Sequence, residues 1–183
     1  FRCVRDVKAG EEITHCYTDL ASTSNDRRRI LRSQYFFDCT CGVCSGPQAE
    51  ELDKLLSPEV TSQAAAKDLR EATLQHDEGN DLTLEASTSH GKLTRAYQLR
   101  CKHLGELSLD RMSAAAHLMT VFMEIGDKET SAKLAAEVLK VYRAVYPPIH
   151  YLSLEFGLPL LLPLLLVDRF HQSHEGQKVC HPR

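Results

Sequence analysis

The sequence has no surplus of positive charge. Lys and Arg number 22 against 25 Asp and Glu, a formal net charge of −3. Neutralising a phosphate backbone takes clustered cations, so no direct nucleic-acid binding is expected. The longest basic run, Arg27-Arg28-Arg29, reads as the solvated face of a short helix. A membrane-spanning run is also lacking. The most apolar stretch, Phe156 to Val167, is 12 residues long and holds Pro159 and Pro163, short of the ~20 residues a bilayer needs. Nor does a leader come first: the chain opens at Phe1 in residues that already read as a strand, and a missing N-terminal portion is expected. What these absences leave is a soluble protein of the cytoplasm and/or nucleus. Its 183 residues, 43% apolar and 26% charged, suffice for a core in one or two domains.

Phe1-Arg2-Cys3-Val4-Arg5-Asp6-Val7 roughly alternates apolar and polar residues, the pattern of a half-buried strand. Lys8-Ala9-Gly10 supplies a turn, and Glu12 to Tyr17 returns as a second strand. The reading is an antiparallel hairpin, which cannot stand alone because an isolated hairpin is marginal in water. Ser22 to Asp26 is a loop of N-cap residues feeding a short helix at about Arg27 to Tyr35. A cysteine cluster follows, and Ser45-Gly46-Pro47 reads as a break and boundary.

Beyond it the pattern turns helical. One helix opens at Ser57-Pro58, carries Ala65, Leu69 and Ala72 on a face, and fades near Gly79. Gly79 to Ser89 reads as a loop. A second helix carries Leu93, Tyr97, Cys101 and Leu104 and stops at Gly105. The third runs from Asp110 to Gly126; the fourth starts after Asp127, holds Leu134, Val138, Tyr142 and Val145 inward, and ends at Pro147-Pro148. The last two form an antiparallel hairpin with small residues at Ala132 and Ala135, similar to a degenerate tetratricopeptide repeat. From 149 to 183 no periodicity survives, and a poorly ordered tail is expected.

Seven cysteines, three of them within six positions, suit a metal site better than a disulfide framework. Cys39, Cys41 and Cys44 stand at C-x-C-x-x-C spacing and can supply three corners of a zinc tetrahedron. The fourth corner comes from elsewhere; Cys3 and Cys16 read as packed strand thiols. Unpaired or redox thiols are the alternative for the cluster.

Gly10-Glu11-Glu12-Ile13 with Tyr17, then a loop and helix, then Tyr35-Phe36-Phe37-Asp38 running into the cysteines, resembles the end of a SET domain with its post-SET zinc loop. It is more similar still to the SET–MYND protein-lysine methyltransferases, whose zinc loop is followed by a helical, tetratricopeptide-like domain. The resemblance implies an α+β chain with four parts. Residues 1–20 would end the SET domain, 21–47 give a helix and the cysteine loop, 48–148 form the helical domain, and 149–183 a divergent tail. It implies that Tyr17 lines the lysine channel and meets the cofactor S-adenosylmethionine, orienting the lysine amine for attack on its methyl group. By the same resemblance Phe37 packs on that cofactor, while Cys39, Cys41 and Cys44 hold zinc. The substrates would be lysines of histone or non-histone proteins, with peptide partners for the helical domain. The family's Asn-His-x-Cys motif, its glycine-rich cofactor strand and its MYND finger are absent from these residues, so this chain alone is expected to be inactive. The competing reading is a non-catalytic, zinc-containing helical scaffold for protein interactions.

Overall fold

The computed structural model describes residues 3, 6–81 and 86–146. The tail at 149–183, the Pro147-Pro148 stop and most of the expected first strand lie outside the described residues.

The expected β-hairpin is not formed: no strand occurs among the described residues, whose regular elements, from Ser24 onward, are all helices. Its turn does form. Gly10 takes φ +83°, and the Glu11 N–H donates to the Lys8 carbonyl at 3.0 Å. After that turn no strand ladder forms among the described residues. Ile13, an apolar residue of the expected strand, is 84% exposed. Strand propensity without a covered face does not hold a ladder together. The α+β expectation is therefore corrected to an all-helical architecture.

Helix α1 (Ser24–Ile30) begins where Thr23 caps it: Thr23 Oγ1 accepts from the Asp26 N–H at 3.2 Å and donates to the Asp26 carboxylate at 2.8 Å. It runs into a π-helical turn, Leu31–Tyr35, instead of continuing as α-helix to Tyr35. Helix α2 (Gly42–Ser45) is one turn inside the cysteine loop. The expected break at Ser45-Gly46-Pro47 is a single residue, Gly46, because Pro47 opens helix α3 (Pro47–Leu56), a position where its missing N–H costs nothing. Asp53 of α3 reaches back to the start of α1 and accepts from the Ser24 N–H at 2.9 Å.

Four longer helices follow: α4 (Gln63–Gly79), α5 (Ala86–His103), α6 (Leu109–Glu124) and α7 (Lys128–Val145). Helix α4 starts at its Ser62 cap, five residues later than Ser57-Pro58 suggests. Helix α5 opens inside the stretch expected to be loop. Each of these helices packs on the next in sequence. Ala72, Ala96, Ala115 and Ala135 are fully buried, one on each helix, and side chains that small let the axes approach closely. Leu93, Leu118, Leu134 and Val138 fill the core between them. Gly126 at φ +85° ends α6, and Asp127 caps α7 by accepting from the Thr130 N–H at 3.0 Å. This confirms the antiparallel helix hairpin. No helix among the described residues is long and apolar enough to cross a membrane.

Helix α7 also reaches the first segment. Tyr146, at its end and buried, donates its hydroxyl to the Asp19 carboxylate. Burial, then that bond, pushes the Tyr146 phenol well above its ordinary pKa.

Candidate metal and aromatic site

The π-helical turn sets the site. It ends at Phe36, which adopts a left-handed backbone (φ +59°, ψ +32°). That conformation reverses the chain, so that Phe36 itself is 87% exposed while Phe37 swings back toward the N-terminal arm. There the Tyr17 ring meets Phe37 edge to face, centroids 5.6 Å apart, and Tyr35 likewise at 5.0 Å. The His15 ring also lies against Tyr17, tilted, with centroids 4.3 Å apart. Tyr17 and Phe37, 20 positions apart in sequence, thus share one aromatic cluster. Tyr17 is 48% exposed and Phe37 38%, so the cluster presents open ring surface.

The cysteine loop follows directly. The sulfurs of Cys39, Cys41 and Cys44 all lie within 4.8 Å of one another, with Cys44 buried and Cys41 exposed. Zinc bonded to sulfur at about 2.3 Å spaces its thiolates about 3.8 Å apart, so a small contraction brings these three to the metal. Desolvation first, then the sulfurs of its two neighbours, pushes the Cys39 thiol up to about 11. Burial works against ionising Cys41 as well, yet the Cys39 thiol and the nearby backbone at Cys44 and Val43 hold it below its ordinary value. This is a soft donor set with one sulfur already biased toward thiolate, and it fits zinc. Cys16 is no strand residue. It is exposed, but its thiol is raised by desolvation and then by Cys41, with Cys44 and Asp19 adding and Arg27 opposing.

One functional feature escaped sequence reasoning. Arg27 is not on a solvated face: it is 2% exposed and donates to the Val43 carbonyl of the cysteine loop at 2.9 Å. Beside it Arg28 donates to the Cys44 carbonyl at 2.5 Å and to Ser45 Oγ at 2.8 Å. Only Arg29 behaves as a surface residue, pairing with Asp26 at 3.0 Å. A basic triplet gives no sign of which member turns inward.

No family model matches the chain. Individual relatives do. The histone-lysine N-methyltransferase SMYD3 of Mus musculus is 26% identical over 156 residues, covering 81% of this chain and 33% of that protein. The N-lysine methyltransferase SMYD2-B of Xenopus laevis is 28% identical over 154 residues, covering 80% and 35%. A SET domain-containing protein of Acanthamoeba polyphaga mimivirus is 40% identical over 67 residues, covering 37% and 24%. The relatives that match most of the chain are lysine methyltransferases. Within that class, this chain is similar to the SMYD-type enzymes over about 80% of its length, at 25–28% identity. It spans about a third of the length of the curated relatives it matches.

Proposed function

We propose that this chain forms the C-terminal part of a protein-lysine methyltransferase: the end of the SET domain, the post-SET zinc loop and a tetratricopeptide-like helical domain. The juxtaposition of Tyr17 and Phe37 beside three clustered cysteines supports this reading.

In it, Tyr17 and Phe37 form part of an aromatic wall that a methylene-rich lysine stem can lie against. The Tyr17 hydroxyl accepts from or donates to the lysine amine and fixes its direction of approach, and the same ring borders the cofactor. Phe37 offers its open face to S-adenosylmethionine, which supplies the methyl group. Catalysis of this kind is positioning and electrostatics, with no covalent intermediate on the protein. Cys39, Cys41 and Cys44 hold zinc, which fixes the loop directly after Phe37. The substrates are lysines of histone or non-histone proteins, met in the cytoplasm and/or nucleus. The chain carries a minority of the cofactor contacts the reaction needs, and by itself is inactive.

Tyr17→Phe in the full-length protein tests the assignment. Loss of methyl transfer from labelled cofactor by about a hundredfold or more, the scale for one lost catalytic hydrogen bond, is expected with partner binding kept. Unchanged methylation would leave the chain a zinc-bearing scaffold.

A further inference from the structure

Arg27 presents a charge problem. Its guanidinium is buried, and among the described residues no carboxylate forms an ion pair with it. Its hydrogen bonds go to three neutral carbonyls: Leu20 at 3.5 Å, Ser22, and Val43 at 2.9 Å. Its Nε is buried with no hydrogen-bond partner among the described residues. A buried cation offset only by carbonyl dipoles is costly, as is a buried pair stripped of its counter-charge. Such a group persists where an anion stands nearby.

The carbonyl at Val43 belongs to the turn between Cys41 and Cys44, and Arg28 holds the next one, Cys44. Both cations therefore grip the backbone that carries two of the three sulfurs. The field of Arg27 also reaches Cys16, a thiol that feels Cys41 and Cys44 in turn. Zinc with three thiolates carries net negative charge, since three thiolate charges exceed the two of the ion.

We propose that Arg27, supported by Arg28, is the counter-cation of an anionic metal–thiolate centre formed by Cys39, Cys41 and Cys44. Arg27 is a positioning residue in this scheme: it neutralises the occupied cluster while its donors fix the turn that presents the sulfurs. The proposal rests on the zinc reading above. It adds that charge on Arg27, and not hydrogen bonding alone, sets the affinity.

The test is zinc affinity of the full-length protein, read by competition with a chromophoric chelator, alongside the thiolate-to-metal absorption of the cobalt-substituted protein. Arg27→Lys keeps the charge and loses the fork; Arg27→Gln keeps donors and loses the charge. Arg27→Gln is expected to weaken zinc binding about tenfold or more, within the range typical of outer-shell partners, and Arg27→Lys by much less. Arg28→Gln is expected to give a smaller loss of the same sign. Far-UV circular dichroism reports folding of each variant. Arg27→Gln binding zinc within twofold of wild type would overturn the proposal, and so would Arg27→Lys falling as far as Arg27→Gln. Should Arg27→Gln not fold, Arg28→Gln and Arg27→Lys decide it: wild-type affinity in the first, or a tenfold loss in the second, would refute it. A wild-type protein that takes up no zinc would fell the metal assignment itself; zinc bound with equal affinity in all variants would fell only the role of Arg27.

Discussion

His117 Nδ1 and His76 Nε2 face each other at 2.7 Å between α6 and α4, with the Arg100 guanidinium of α5 3.5 Å from the other nitrogen of His76. Only one proton fits between the two rings, and a second charge there would meet Arg100. His76 is buried. Its pKa is lowered by that burial first, then by Arg100 and His117, while Asp77 and Asp110 act the other way.

The pH dependence of stability follows. Because His76 binds its proton less readily folded than unfolded, the unfolded chain takes up more protons as pH falls below the ordinary value of about 6.5. Its contribution is complete above that pH and is lost as pH falls toward and through the depressed folded pKa. Thermal melts between pH 7.5 and 5 are expected to show a falling Tm below about pH 6.5. His76→Gln, which keeps a hydrogen-bonding group but cannot titrate, should flatten the curve over that window. An equally steep decline in the variant would remove His76 as the cause.

Gly79 offers a case where two effects oppose. It closes α4, and alanine there gains up to about 1 kcal/mol of helix propensity. A Cβ would stand 2.8 Å from Leu93 Cγ and 3.0 Å from its Cδ2, and Leu93 is locked in the core at 2% exposure. Overpacking costs about 1–3 kcal/mol, so it prevails. Gly79→Ala is expected to destabilise the protein by about 1 kcal/mol in urea unfolding, net of the propensity gain. A rise in the midpoint would mean that Leu93 yields easily.

These helices were legible in the sequence because their apolar residues recur at helical spacing around caps such as Asp127. Local chemistry was misread where one residue type serves two purposes. Pro47 looked like a breaker but begins α3. Glu12 to Tyr17 had strand composition, but a strand also needs a covered face, and Ile13 is left exposed. The clustering of the three cysteines was more readable than the fold around them, since their spacing is a local signal. Arg27 was out of reach: its burial goes with a bond to the Val43 carbonyl 16 residues away, which no spacing rule announces.

Phe36 holds its reversed backbone at a cost. The left-handed conformation is worth roughly 1–2 kcal/mol less than the right-handed one for a side chain of this kind, and at 87% exposure little packing offsets it. Asn adopts the same conformation with less strain. Phe36→Asn is expected to stabilise the chain by about 0.5–1 kcal/mol while leaving Tyr17 and Phe37 in contact, seen as unchanged near-ultraviolet circular dichroism. Destabilisation would show that the Phe36 ring is covered in solution.

Metal removal separates the loop from the scaffold. The core of α4 to α7 is built from Leu93, Leu118, Leu134 and Val138 and includes no cysteine of the cluster. Stripping zinc with a strong chelator is therefore expected to leave the far-ultraviolet helical signal of the full-length protein nearly intact. The change falls on the thiols. Cys44 is 5% exposed and Arg28 holds its carbonyl, so in the loaded protein it should resist alkylation, and in the stripped protein react faster by an order of magnitude or more as the loop loosens. Cys41 should become reactive first, because its thiol is held below the ordinary value while Cys39 stands at about 11. Mass spectrometry after a brief pulse of iodoacetamide reads that order directly. Equal labelling of all three before and after chelation would show that no metal organises the cluster, and a collapse of helical signal on chelation would show that the zinc loop supports the whole fold.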